Sequence, residues 1–154
     1  VSHEQFIGYA LNLVDAKNRL SVPAAFRDTI HQRTAEKLMI LGPHEREPCL
    51  VGYDIKRPER LQATIDRRFG DDFGPERDDF QRAAFGAAER LPIDDSGRII
   101  LTATLKDLGE IDKLACFIAA GDYFEIWNPE RFLAVKGDTS PLGRIVRRQL
   151  DARA

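Results

Sequence analysis

Cysteine and histidine are scarce in this chain: Cys49 and Cys116 are its only thiols, and His3, His31 and His44 its only imidazoles. Neither set has the spacing of a zinc site, so no metal centre is predicted. Both cysteines sit among apolar neighbours (Leu50 and Val51; Phe117 and Ile118), which suits buried reduced thiols better than a disulfide. Long apolar runs are also missing. The longest, such as 114–120, falls far short of the ~20 residues that a bilayer-spanning helix needs. The opening Val1-Ser2-His3-Glu4-Gln5 has neither the basic head nor the apolar core of a secretory leader. A cytoplasmic protein with no membrane partner is expected.

There is no phosphate-cradling glycine loop. Asp15, Asp94, His44 and Cys49 can in principle do acid-base or nucleophilic chemistry, yet no nucleophile, base and orienting group fall into a recognisable arrangement. No enzyme, small-molecule substrate or cofactor is therefore expected. A charge excess is absent as well: with a net charge of −2, any binding to a polyanion must come from local faces. Acid gathers in the middle (Asp66, Asp71, Asp72, Glu76, Asp78, Asp79), whereas the C-terminal segment carries Arg144, Arg147, Arg148 and Arg153.

What the sequence does contain is one pattern stated twice. Asp15-Ala16-Lys17-Asn18-Arg19-Leu20-Ser21-Val22-Pro23-Ala24-Ala25-Phe26-Arg27 recurs in residue character, and in constant register, as Asp94-Asp95-Ser96-Gly97-Arg98-Ile99-Ile100-Leu101-Thr102-Ala103-Thr104-Leu105-Lys106. Each copy reads as an acid, a turn and an arginine, then a strand, then a short helix ending on a base. Asn18 and Gly97 occupy the same place, and Asn and Gly are the residues that most readily adopt positive φ, so one turn is predicted in both copies. Pro23 suits a helix start, and Thr102 takes its place in the second copy, where Gly109 stops the helix.

The correspondence continues past the turn. A strand at 6–14 leads into the first copy. Strands at 37–41 and 49–53 answer strands at 114–118 and 123–127. Arg57-Pro58-Glu59-Arg60-Leu61 answers Asn128-Pro129-Glu130-Arg131-Phe132. Helical spacing follows at Leu61, Ile65 and Phe69 and at Phe80, Ala84, Phe85 and Ala88, with a loop at 70–75, and a last helix is predicted from Ser140 to Leu150. The predicted organisation is a first unit at 8–56, a helical connector at 57–86, a second unit at 87–130 and a C-terminal helical segment at 131–154. The fold class is α+β, mostly β. Units this small rarely fold alone, so packing between halves or between subunits is expected.

These residues resemble the MraZ family, whose members are built from two AbrB-like swapped-hairpin units, each with an Asp-x-x-x-Arg signature. The matches are Asp15 to Arg19 with the run to Arg27, Asp94 to Arg98, and Phe124-Glu125-Ile126-Trp127. Asn18 stands where the family more usually has glycine, and Thr102 where it more usually has proline. The resemblance implies a ring-forming homo-oligomer that binds double-stranded DNA with repeated sites, is nucleoid-associated, and represses the bacterial division and cell-wall gene cluster. The rival function is an AbrB-like antitoxin or protein-interaction scaffold.

A two-stranded ribbon fits the major groove, and its tip can present basic side chains to phosphates and base edges. The candidate DNA-binding residues are Lys17, Asn18, Arg19 and Arg27 in the first copy and Ser96, Gly97, Arg98 and Lys106 in the second. Arg19 and Arg98 are the principal contacts, because a guanidinium can grip guanine or phosphate with two bonds. Arg27 and Lys106 are secondary, since a base at the end of a helix also suits its dipole. The first tip, with Lys17, is the more basic and is expected to bind more strongly. Asp15 and Asp94 are equally suited to an ion pair with the arginine four residues on, which would make the signature structural; the two roles can coexist. Trp127, Tyr53 and Phe124 are read as core, and the C-terminal arginines as a solvated helix face.

Overall fold

The computed structural model describes residues 4–153; Val1, Ser2 and His3, part of the leader and metal readings above, lie outside the described residues, as does Ala154. In chain order the elements are β1 (Tyr9–Leu13), β2 (Arg19–Ser21), α1 (Ala24–Thr34), β3 (Leu38–Pro43), β4 (Leu50–Tyr53), α2 (Arg57–Phe69) and α3 (Pro75–Gln81). A π-helical turn (Arg82–Gly86) follows, then β5 (Glu89–Pro92), β6 (Arg98–Ile100), α4 (Ala103–Leu108), β7 (Leu114–Ala119), β8 (Phe124–Trp127), α5 (Pro129–Lys136) and α6 (Pro141–Arg153). The fold is α+β, with an antiparallel sheet of six strands in the order β1-β7-β8-β4-β3-β5 and a second sheet made of β2 and β6.

That order shows how the two sequence copies are joined. β1 pairs with β7, from Tyr9 opposite Ile118 to Leu13 opposite Leu114, and β5 pairs with β3, from Leu38 opposite Pro92 to Leu41 opposite Glu89. Each copy thus lends its first strand to the other, and β2 and β6 pair across the copies in the same way. β3 and β7 share one burial pattern, intermediate at both ends and buried between, as do β4 with β8 and β2 with β6. The register also moves one correspondence. Leu38, not Lys37, is the counterpart of Leu114, because Leu13 pairs with Leu114 just as its repeat partner Pro92 pairs with Leu38.

The inner face of the large sheet carries the main core, to which the copies contribute matching residues: Leu20 and Ile99, Val22 and Leu101, Phe26 and Leu105. At its centre Phe124 meets Phe6 and Phe26, each with ring centroids 5.0 Å away. Gly52 makes room for that ring, since a Cβ there would lie 2.4 Å from the Phe124 Cζ. The outer face over β7 and β8 is covered by α5 and α6, where Trp127, Phe132 and Val146 enclose both cysteines. Cys116 pairs with Trp127, and Cys49 precedes Leu50, which pairs with Ile126. β8 therefore lies between the thiols, at about two strand spacings of ~4.8 Å, well beyond disulfide reach.

Helix limits follow the local chemistry. The Thr102 hydroxyl accepts the Leu105 N–H and starts α4, and the Asn128 side chain accepts the N–H groups of Glu130 and Arg131 and starts α5. α1 runs on to Thr34 and ends at Ala35, whose left-handed backbone returns an N–H to His31. The base of the first copy, Arg27, consequently lies in the first turn of α1 and not at its end, which corrects the expectation of a dipole-favoured terminal charge; Lys106 does lie in the last turn of α4. The helical spacing read at Phe80 to Ala88 ends in the π-helical turn at Gly86, so Ala88 is not helical.

Candidate nucleic-acid interface

The two Asp-x-x-x-Arg turns match bond for bond. In the first, the Asp15 carbonyl accepts the Asn18 N–H at 2.9 Å, and Asp15 Oδ1 accepts the N–H groups of Lys17 (2.9 Å) and Arg19 (2.8 Å). In the second, the Asp94 carbonyl accepts the Gly97 N–H at 2.9 Å, and its Oδ1 accepts those of Ser96 and Arg98, both at 2.9 Å. Asn18 at φ 62° and Gly97 at φ 79° supply the left-handed step. Each aspartate also takes its arginine's Nε–H on Oδ2, at 2.7 Å for Arg19 and 3.2 Å for Arg98. The backbone N–H of Arg19 beside Asp15, and that of Arg98 beside Asp94, hold both carboxyls below the usual carboxylate range.

These bonds use only the Nε edge of each guanidinium. Among the described residues nothing in the protein bonds the Nη groups of Arg19 or Arg98, so each turn orients its arginine and leaves the double-donor edge unused. In the β2–β6 ladder Arg19 faces Ile100 and Ser21 faces Arg98. Strand alternation then puts Leu20 and Ile99 on the buried side and Arg19, Ser21, Arg98 and Ile100 together on the other, where Ile100 is 59% exposed. The tips expected as separate features of two units thus form one composite ribbon.

The remaining predicted residues tie the turns crosswise. The Asn18 carbonyl accepts the Leu101 N–H at 2.7 Å and the Gly97 carbonyl accepts the Val22 N–H at 2.9 Å. Lys106 Nζ donates to Asn18 Oδ1 at 3.1 Å, so the base of the second copy rests on the turn of the first. Reciprocally, the Arg27 guanidinium lies against Gly97, with its Nε–H on the Val22 carbonyl at 3.0 Å. The Lys17 side chain and the Ser96 hydroxyl have no partner among the described residues and are exposed. Sequence reading missed Ser21 and Ile100 as members of this face, although their place two residues after each arginine is the signal that finds them.

A Cβ on Gly97 would lie 2.5 Å from Arg27 Cζ at a positive φ. Gly97→Ala is therefore expected to lower stability by about 1–2 kcal/mol and to displace Arg27, while Asn18→Gly costs less, which urea denaturation of the two variants will compare. Equal losses would show that neither the positive φ nor the clash with Arg27 matters there.

Among the described residues no cluster of three or more potential metal ligands occurs, and no helix is long and apolar enough to cross a membrane. A family model described as "MraZ protein, putative antitoxin-like" matches residues 84–139. The chain is 35% identical over 127 residues to a protein of Rickettsia canadensis (strain McKiel), covering 82% of this chain and 83% of that one. It is 36% identical over 126 residues to a protein of Gluconacetobacter diazotrophicus, covering 80% and 78%. Both relatives are named "Transcriptional regulator MraZ".

Proposed function

The chain belongs to the MraZ family, and from that premise we propose that it is a transcriptional regulator that binds double-stranded DNA through the β2–β6 ribbon. The observation that carries this reading is the convergence of Arg19 and Arg98, each with an unused Nη edge, on one exposed ribbon face. Arg19 and Arg98 would contact base edges or phosphates. Lys17 and Ser96 would meet phosphates at the two turns, Asn18 and Gly97 would shape those turns through their left-handed backbone, and Arg27 and Lys106 behind them would add positive potential. Asp15 and Asp94 hold the arginines in place and so combine the structural and functional roles.

A ribbon with so few cations binds weakly at physiological salt. The regulator is accordingly proposed to act as a homo-oligomeric ring on repeated DNA sites, where tethered ribbons raise the effective concentration and gain ~10²–10⁴ in avidity. Ile7 (78% exposed), Tyr9 (51%), Leu13 (55%) and Phe73 (71%) leave apolar surface that assembly would cover. Repression of the division and cell-wall gene cluster is the regulatory role proposed. The two modules at 8–56 and 87–130 are proposed as its AbrB-like units, each completed by the other's strand.

A fluorescence-anisotropy titration of DNA bearing direct repeats, against single-site and scrambled duplexes over a salt series, tests the proposal. Expected is tighter binding to the repeats and a steep fall in affinity with salt, with light scattering reporting a closed oligomer. Absence of salt-sensitive, sequence-dependent binding would sink the DNA reading and favour the protein-interaction scaffold.

A further inference from the structure

The repeat symmetry matches residues on the outer face of the sheet as well, and there the two copies differ. In the second copy Trp127 packs edge-on to Phe132 at 5.1 Å between centroids, its indole N–H donates to Glu125 Oε1 at 2.8 Å, and α5 and α6 close over it. In the first copy the same places hold Tyr53, Leu61 and Val51. Leu61 is smaller than Phe132, and Val51 offers no acceptor where Glu125 stands. The result is a cavity of about 280 Å³ between β3, β4, α2 and the π-helical turn, lined among others by Val51, Tyr53, Arg57, Leu61, Phe80 and Ala84. That is the small end of ligand-pocket size.

Its free polar groups are donors. Tyr53 is only 4% exposed, yet its hydroxyl bonds to nothing in the protein among the described residues, and burial raises its phenol so that it stays an O–H donor. Arg57 is stacked between the rings of Tyr53 and Tyr123, at 4.7 and 4.9 Å. Its Nε–H is held by Asp122 Oδ2 at 3.0 Å, which leaves its Nη groups unused. Of the other polar residues that line it, His44 accepts the N–H groups of Arg46 and Glu47 on Nδ1 and faces Glu125 with Nε2 at 3.3 Å, and the Glu45 carboxylate lies 3.6 Å from Arg46 Nη1.

We propose that this cavity binds a small apolar carboxylate, its carboxylate accepting from the Tyr53 hydroxyl and Arg57 Nη and its body packed against Leu61, Phe80 and Ala84. Donors that open onto a mostly apolar cavity and have no acceptor of their own favour a ligand that supplies one, while the small Ala84 side chain leaves the volume for its apolar part. The site does not depend on the DNA-binding reading.

Calorimetric titration of the protein with benzoate, benzyl alcohol and benzylamine tests it. Saturable binding of benzoate is expected, about tenfold weaker binding of the alcohol, and none of the amine. Tyr53→Phe is expected to weaken benzoate about fivefold, and Ala84→Leu to abolish binding without changing the oligomer. Should Ala84→Leu fail to fold, Tyr53→Phe decides. Absence of saturable benzoate binding, equal binding of acid and alcohol, or benzoate affinity unchanged in Tyr53→Phe overturns the proposal.

Discussion

Replacing Arg19 and Arg98 together by alanine is expected to reduce affinity for repeated DNA at least ~100-fold, since each arginine offers charge-assisted bonds of about 1.5–3 kcal/mol. The proposed oligomer should survive intact. Each arginine gives the fold one Nε bond to an aspartate, at a side chain still 35% (Arg19) or 33% (Arg98) exposed, and a solvent-screened pair of that kind adds little to stability. The turn itself is held by main-chain N–H groups on Asp15 and Asp94, which alanine at 19 or 98 retains.

The single variants should be unequal. Lys17 adds a cation at the first turn, whereas at the second Asp95 is paired with Lys37 at 2.9 Å. Arg19→Ala is thus expected to lose more affinity than Arg98→Ala, and Lys17→Ala to lower the salt slope by about one without altering sequence preference. Asp15→Ala separates the roles from the other side, because it removes the acceptor of three bonds and so disturbs the turn along with the arginine. Anisotropy with light scattering on the same samples reads both effects. Dissociation of the Arg19→Ala/Arg98→Ala oligomer, or unchanged DNA affinity, would make the arginines structural and sink the interface.

The repeat in the sequence led directly to the turns because their chemistry is local. An aspartate that accepts the N–H groups two and four residues on, with Asn18 or Gly97 at positive φ, is written within five residues. β3, β4, β7 and β8 were legible in the same manner from their apolar runs, whereas β5, the counterpart of β1, was not, because Glu89-Arg90-Leu91-Pro92 offers two charges, one leucine and a proline over only four positions. Nor was strand exchange, since a strand's own sequence does not specify which copy's edge it joins, and β1 can satisfy its hydrogen bonds against either β3 or β7. Only that exchange brings Lys106 to Asn18 and Arg27 to Gly97. The length of α1 was misread for a related reason: Arg27 looked terminal by comparison with Lys106, while the buried residues Thr29, Ile30 and Arg33 continue the helix against the core.

Arg33 leads to the second large effect, on stability. Asp54, fully buried, accepts from Arg33 Nη1 at 2.8 Å and from Arg60 Nη2 at 2.9 Å on Oδ1, and its Oδ2 accepts the Lys56 N–H. Arg33, itself 7% exposed, also donates to the carbonyls of Glu4 and Asp122 and lies over the Phe6 ring at 4.8 Å, so one ion pair fastens α1, the end of β4, α2 and the turn before β8. Removing the carboxylate leaves the buried Arg33 guanidinium with Asp122 Oδ1, 3.7 Å away and 3.0 Å from Arg60, as its remaining counter-charge, and Asp54→Ala is expected to cost about 3 kcal/mol, a large share of a typical domain's stability. The pH dependence follows from the same contacts. Burial alone raises the Asp54 carboxyl, but the bonds from Arg60 and Arg33 outweigh it and hold the group below the usual carboxylate range. A carboxyl lowered on folding contributes stability that is present above its unfolded pKa and is lost as pH falls through its folded one. Urea denaturation at fixed protein concentration should therefore show the gap between wild type and Asp54→Ala widest near neutrality and narrowing in acid, with Asp54→Asn between them because it keeps one acceptor oxygen in place. A loss under about 1 kcal/mol at neutral pH would mean that the arginines find solvent or other acceptors, and that the pair does not hold these four elements together.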